Sequence, residues 1–174
     1  KFHFDGGQLA EIREVAEEML PVLQKEAFWA RAVYPSENLS HVETSGINED
    51  GAQPAMLYAA YEKAAMSLGH GVDLLQESYS EKGRLLQSYI VEALAGELLM
   101  RGYDAYNRYV AAYTDRHVAR YHFPGSEEAF PLGMLPELLK DLTQEITCNA
   151  AFCMVPKKSV VFISELTHDE TELY

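Results

Sequence analysis

Leu9, Ile12, Ala16, Met19 and Leu23 recur at helical spacing, with Glu11, Glu14, Glu17 and Glu18 largely on other faces. This predicts a first helix from Gly7 to Trp29. Asp5 followed by Gln8 gives it a weak capping pattern, and Pro21 kinks or breaks it. Arg31 to Tyr34 reads as a short strand stopped by Pro35. The polar stretch Ser36 to Pro54 reads as loop, with room for a weak strand, and Ala55 to Tyr61 as a short helix. Lys63 to Leu68 is a compact apolar run; its length and the Gly69-His70-Gly71 terminator predict a buried strand. A short helix is expected from Gly71 to Tyr79 and a long one from Glu81 to His117. In the long helix Leu86, Ile90, Ala93, Leu94 and Leu98 form one stripe. Leu99, Tyr103, Tyr106, Val110, Tyr113 and His117 form a second. Gly96 and Gly102 weaken it locally or permit close packing.

The texture changes after Arg120. Tyr121-His122-Phe123 is strand-like and stops at Pro124-Gly125; Leu132 to Leu142 reads as a short helix with Pro136 near its start. Two β-prone runs follow, Ile146 to Met154 and Ser159 to Leu166. Pro156-Lys157-Lys158 between them predicts a hairpin, and Thr167 to Tyr174 a frayed tail. This order implies an α+β fold with a largely antiparallel sheet packed with a long helix, in one domain over 1–174.

Composition narrows the partners. The 174 residues carry a formal net charge of -13, which repels nucleic acid and anionic lipid. Two cysteines, Cys148 and Cys153, are too few for a secreted disulfide framework and read as small packed residues in a strand, so the cytoplasm is the default compartment. No apolar run reads as a signal peptide or membrane span. The chain opens on Lys1 rather than Met, which hints at a trimmed chain or a piece of a longer one.

No dinucleotide, P-loop, zinc-protease or nucleophile-elbow motif is present. His117 and His122 have poor metal spacing and read as cap or core residues. Glu92 and Glu97 diverge around the helix and read as solvated rather than as an acid/base pair. The Tyr103, Tyr106 and Tyr113 stripe reads first as core, with a ligand platform as the sharper reading.

The most informative block begins Arg120-Tyr121-His122-Phe123-Pro124-Gly125-Ser126. Phe130-Pro131-Leu132 follows, and then Phe152-Cys153-Met154-Val155-Pro156-Lys157-Lys158-Ser159-Val160. It resembles the activation domains of cobalamin-dependent methionine synthase. Those carry an Arg-x-x-x-Gly-Tyr loop, a Pro-Leu helix start, and a strand ending in Met before x-Pro, two variable residues and Ser-Val. Upstream, Ala32-Val33-Tyr34 looks like the family's Ala-Val-Tyr. Leu68-Gly69-His70-Gly71-Val72-Asp73 looks like its Leu-Gly-Pro-x-Ile-Asp, and Val91-Glu92-Ala93-Leu94-Ala95 like its Val-Glu-Ala-Leu-Ala. The motifs keep the family order along nearly the whole chain.

The resemblance implies a C-shaped α+β domain that binds S-adenosylmethionine. It also implies support for reductive remethylation of cobalamin on a corrinoid-binding methyltransferase domain or protein, with an electron donor such as flavodoxin. Arg120, Tyr121, Pro124, Gly125 and Ser126 would hold the ligand, with Arg120 on its carboxylate. The loop also departs from the pattern: Gly125 follows Arg120 by five residues rather than four, and Ser126 stands where the family has Tyr. Either a one-residue bulge lets Arg120 still reach the site, or the anchor is lost. The second case describes a non-catalytic binding or assembly module of a corrinoid system. An unrelated α+β protein would have to match these ordered motifs by chance.

Overall fold

The structure, a computed structural model, describes residues 6–34, 60–140 and 142–168. Its elements are α1 (Leu9–Glu26), β1 (Phe28–Tyr34), β2 (Ala60–Ser67), α2 (His70–Glu81), α3 (Leu85–Thr114), β3 (His117–His122), α4 (Leu135–Lys140), β4 (Thr147–Cys148), β5 (Met154–Val155) and β6 (Ser159–Thr167). The main sheet runs β1-β2-β6-β3, and β4 and β5 form a separate two-stranded ribbon. β3 lies antiparallel to β6, with His117 opposite Thr167 and His122 opposite Ile163. β2 is antiparallel to β6 as well: Ser67 meets Ser159, while the Glu62 carbonyl meets Ser164. The α+β class and the antiparallel sheet are as expected. None of the helices among the described residues is long and apolar enough to cross a membrane.

The chain divides into two compact units. The first comprises 1–29, 66–104 and 145–160; the second comprises 30–65, 105–144 and 161–174. In the first unit, Val15 and Met19 of α1, Val72 and Tyr79 of α2, and Ile90, Val91 and Ala95 of α3 form one buried cluster with Leu68. Each such aliphatic side chain contributes about 1.5–3 kcal/mol on burial. In the second unit, Tyr106 of α3 and Tyr121 of β3 pack edge-on against Phe162 of β6, at 5.2 and 5.0 Å between ring centroids.

Several boundaries move. α1 ends at Glu26, because Ala27 is extended and leads the aromatic pair Phe28-Trp29 into β1. It continues through Pro21. Its inward face is Ile12, Val15, Met19, Val22 and Leu23, whereas Leu9 is exposed. Ala60 and Tyr61, expected in a helix, open β2; this strand is buried along almost its whole length, so alternation could not reveal it. The expected loop Ser36 to Pro54 and residues 55–59 lie outside the described residues, as does Asp5. The predicted long helix starts later, at Leu85. There Gly83 N–H donates to Ser80 O at 3.0 Å and Arg84 N–H to Tyr79 O at 2.8 Å, closing α2 with a Schellman-type turn. It ends at Thr114, so His117 begins β3 instead of finishing the helix. Thr167, expected in the tail, is the last residue of β6.

The predicted hairpin between the two C-terminal runs does not form. The first run folds on itself: Thr147 pairs with Val155 and Cys148 with Met154. The Asn149 side-chain oxygen accepts the backbone N–H groups of Ala151 (2.9 Å) and Cys153 (3.0 Å), which fixes a tight turn inside the run. Cys148 is half-buried in β4, but Cys153 lies outside the strands and is exposed; both are free thiols. The reading of Cys153 as a packed strand residue is therefore corrected, since the Asn149 turn holds it at the surface. The second run, β6, sits instead between β2 and β3. Of the tyrosine stripe, only Tyr106 is deeply buried; Tyr113 is 74% exposed and stacks on Tyr109 at 4.7 Å. Core packing thus accounts for Tyr106 and not for Tyr113.

Candidate functional site

The predicted ligand residues occupy β3 and the loop after it, in the second unit. Successive strand side chains alternate between faces. Arg120 and His122 therefore share one face, and Tyr121 takes the other. A bulge falls at Ala119: Val118 opposes Leu166 while Arg120 opposes Glu165. The extra residue sits before Arg120, not between Arg120 and Gly125.

Arg120 is 62% exposed, and its Nη2 donates to Glu127 Oε2 at 3.4 Å. Tyr121 is separated from it. Its hydroxyl donates to Asn107 Oδ1 on α3 at 2.6 Å and its ring packs on Phe162. Pro124, Gly125 and Ser126 build a closed turn. Gly125 has φ +87°, and its N–H donates to Phe130 O at 2.7 Å. Ser126 Oγ donates to Phe123 O at 2.7 Å, so that hydroxyl is spent within the loop. Arg120 and the loop thus lie together, and Tyr121 does not join them.

Sequence reasoning missed the carboxylates around this loop. His122 is buried, with Nδ1 at 3.0 Å from Glu127 Oε1, Nε2 at 3.6 Å from Glu165 Oε2, and its ring stacked on Phe130 at 4.6 Å. The cap-or-core reading of His122 fits this place. Strand alternation could have paired Arg120 with His122; Glu127 could not be placed without knowing how the loop closes. Among the described residues no group of three His, Cys, Asp or Glu is arranged to hold a metal.

A second polar site fills the core of the second unit. Glu62 on β2 is buried. Its Oε1 pairs with Arg31 Nη1, and its Oε2 accepts the Tyr106 hydroxyl at 3.0 Å. That hydroxyl also meets Ser164 Oγ at 2.5 Å, and Arg31 lies over the Tyr109 ring at 4.7 Å. Burial first, and then the Glu62 charge, push the Tyr106 phenol well above its ordinary range, so it stays a donor.

In the first unit, three of the motif segments meet at one turn. Asp73, buried in the first turn of α2, accepts the backbone N–H of Lys157 through Oδ2 at 2.7 Å. Glu92 on α3 pairs with Lys158 and takes a hydrogen bond from Gln76 at 2.9 Å. Leu68 N–H donates to Lys158 O at 2.9 Å, and Ser159 Oγ donates to Ser67 Oγ at 2.8 Å. Glu92 is thus the residue that engages the turn; Glu97 makes a surface pair with Arg101. A cavity of about 360 Å³ lies nearby, lined by Lys25, Phe28, Gly69, His70, Glu145 and Pro156.

The hydrogen bond from Lys158 holds the Glu92 carboxyl below its ordinary value, with Gln76 adding to the effect. A depressed carboxylate stabilises the fold above its unfolded pKa and loses that contribution as pH falls through the folded one. Lys158→Met is therefore expected to flatten the acid limb of a stability–pH profile below about pH 4.5. The change is under about 1 kcal/mol, because Glu92 is half exposed. Urea melts at pH 3 to 7 measure it; a profile parallel to wild type rules the pair out as a contributor.

No protein-family model and no curated protein matches the chain.

Proposed function

We propose that this chain is an activation-domain-like protein that binds S-adenosylmethionine and supports reductive remethylation of a corrinoid held by a partner methyltransferase. The observation that carries the reading is the convergence on the Pro156–Ser159 turn. The Leu68–Asp73, Val91–Ala95 and Phe152–Val160 segments resemble the family separately and lie far apart in sequence. Asp73 and Glu92 nonetheless both reach the same turn. Their meeting at one turn supports the reading. The cobalt chemistry would belong to the partner, and this chain would supply the methyl donor's site and a docking surface. Arg120 is the cation suited to the donor's carboxylate, and the turn at Pro124 and Gly125 brings backbone close to it.

A second reading is a corrinoid-system binding module that no longer holds the methyl donor. The Glu127 carboxylate already on Arg120 favours it. Calorimetric titration separates the two. The first reading expects saturable binding of S-adenosylmethionine that Arg120→Ala abolishes. An absence of heat at millimolar ligand leaves the second, which still expects complex formation with a corrinoid methyltransferase.

A further inference from the structure

Glu127 sits between two nitrogen groups in the second unit. Each of its carboxylate oxygens has its own nitrogen partner. Oε2 takes Arg120 Nη2 at 3.4 Å, and Oε1 faces His122 Nδ1 at 3.0 Å. The two partners differ in kind. His122 is 4% exposed, flanked by Glu165 on its other nitrogen and by the Phe130 ring, so it is a fixed anchor. Arg120 stands mostly in solvent. The backbone holds Glu127 in register as well, since Phe130 N–H donates to Glu127 O at 3.1 Å. Glu127 is thus fastened from behind and reaches an accessible guanidinium in front.

We infer that Glu127 is a latch: it occupies Arg120 in the ligand-free chain, and an anion that binds Arg120 does so by displacing it. The part concerning S-adenosylmethionine rests on the function proposed above; the latch itself does not. The physical case is one of charge. Arg120 carries a single positive charge, so an incoming carboxylate competes with Glu127 for it. The contact is long, single and exposed, so exchange is easy. After exchange, Glu127 stays near through His122 and restores the closed loop when the ligand leaves. This makes Glu127 a positioning residue for Arg120, and a monocarboxylate the anion that replaces it like for like.

Glu127→Gln tests this while keeping side-chain volume. Nitrogen-15 NMR of arginine-labelled protein, with the signal assigned by Arg120→Lys, reports rotation of the Arg120 guanidinium. The latch expects that rotation to speed up in Glu127→Gln, with Phe130 amide hydrogen exchange about fivefold faster. Faster amide exchange with an unchanged guanidinium signal means a merely structural role and overturns the latch, as does no change in either. Titration with S-adenosylmethionine then reads the displacement. Glu127→Gln is expected to bind about fivefold tighter than wild type, and equal or weaker affinity overturns displacement. If neither protein binds, the methyl-donor reading falls and acetate replaces it as the probe: tighter acetate binding by Glu127→Gln keeps the latch, and equal or weaker binding overturns it.

Discussion

Arg31→Met is expected to lower stability by about 2–3 kcal/mol. Glu62 is buried on β2 with both oxygens engaged, one by Arg31 and one by Tyr106. Removing the guanidinium leaves a buried carboxylate aimed at a phenol that cannot neutralise it. Stranding one member of a fully buried pair costs about 3–5 kcal/mol. The lower figure applies because the Arg31 side chain is 32% exposed, so water reaches the gap. Methionine keeps an apolar stem of similar length, while the guanidinium's contacts with Tyr109 are lost together with the charge. Equilibrium urea unfolding measures the loss. The double variant Arg31→Met with Glu62→Gln removes the stranded charge and is expected to recover more than half of it. A single variant within about 0.5 kcal/mol of wild type would show that the carboxylate finds other compensation.

This pair also marks where the sequence stopped being informative. Strand β2 was legible from Lys63 onward by its length and its glycine stop, but Glu62 fell just outside that run and its burial was hidden. The pattern of hydrophobic positions locates helices because each buries one stripe. It cannot say which polar residue inside a buried strand has found a partner 31 or 44 positions away. The same limit governed the C-terminus. The run from Ile146 to Met154 was correctly β-prone, but the Asn149 side chain, invisible to periodicity, turns it back on itself and frees β6 for the main sheet.

The candidate site was legible in a different proportion. The turn around Pro156 was visible as a motif, and its partners Asp73 and Glu92 were each inside quoted segments. Only their meeting required coordinates. Around Arg120 the reverse holds. The spacing departure was visible, but its outcome depends on the bulge at Ala119 and on Glu127, neither of which leaves a local signature. Alternation on β3 would have excluded Tyr121 from the Arg120 face had the strand been extended back to His117.

Gly69→Ala is expected to be the most damaging small substitution, costing about 3–5 kcal/mol from two independent causes, backbone strain and overpacking. Gly69 has φ 87° and ψ 166°, a conformation that is essentially restricted to glycine. A Cβ there would also lie 2.4 Å from Glu26 Cβ. Gly71 shares only the second problem: its Cβ would lie 2.4 Å from Val22 Cγ1. The close approach has a purpose, because Glu26 Oε2 accepts the Gly71 N–H at 2.7 Å and so caps α2 from the end of α1. Gly71→Ala is therefore expected to cost about 1–3 kcal/mol, and Val22→Ala, which removes the offending methyl, should offset part of it in the double variant. The same second change should leave Gly69→Ala no better, since the atom its Cβ meets is Glu26 Cβ rather than Val22, and the backbone at 69 is unaltered. Thermal melts of the four proteins decide the matter. Equal rescue at both positions would mean that a shift of α1, which carries both Glu26 and Val22, relieves the segment and that backbone conformation does not demand glycine at 69. Loss confined to 69 would mean that α1 yields readily and that the Glu26 cap is not held in place by the fit at Gly71.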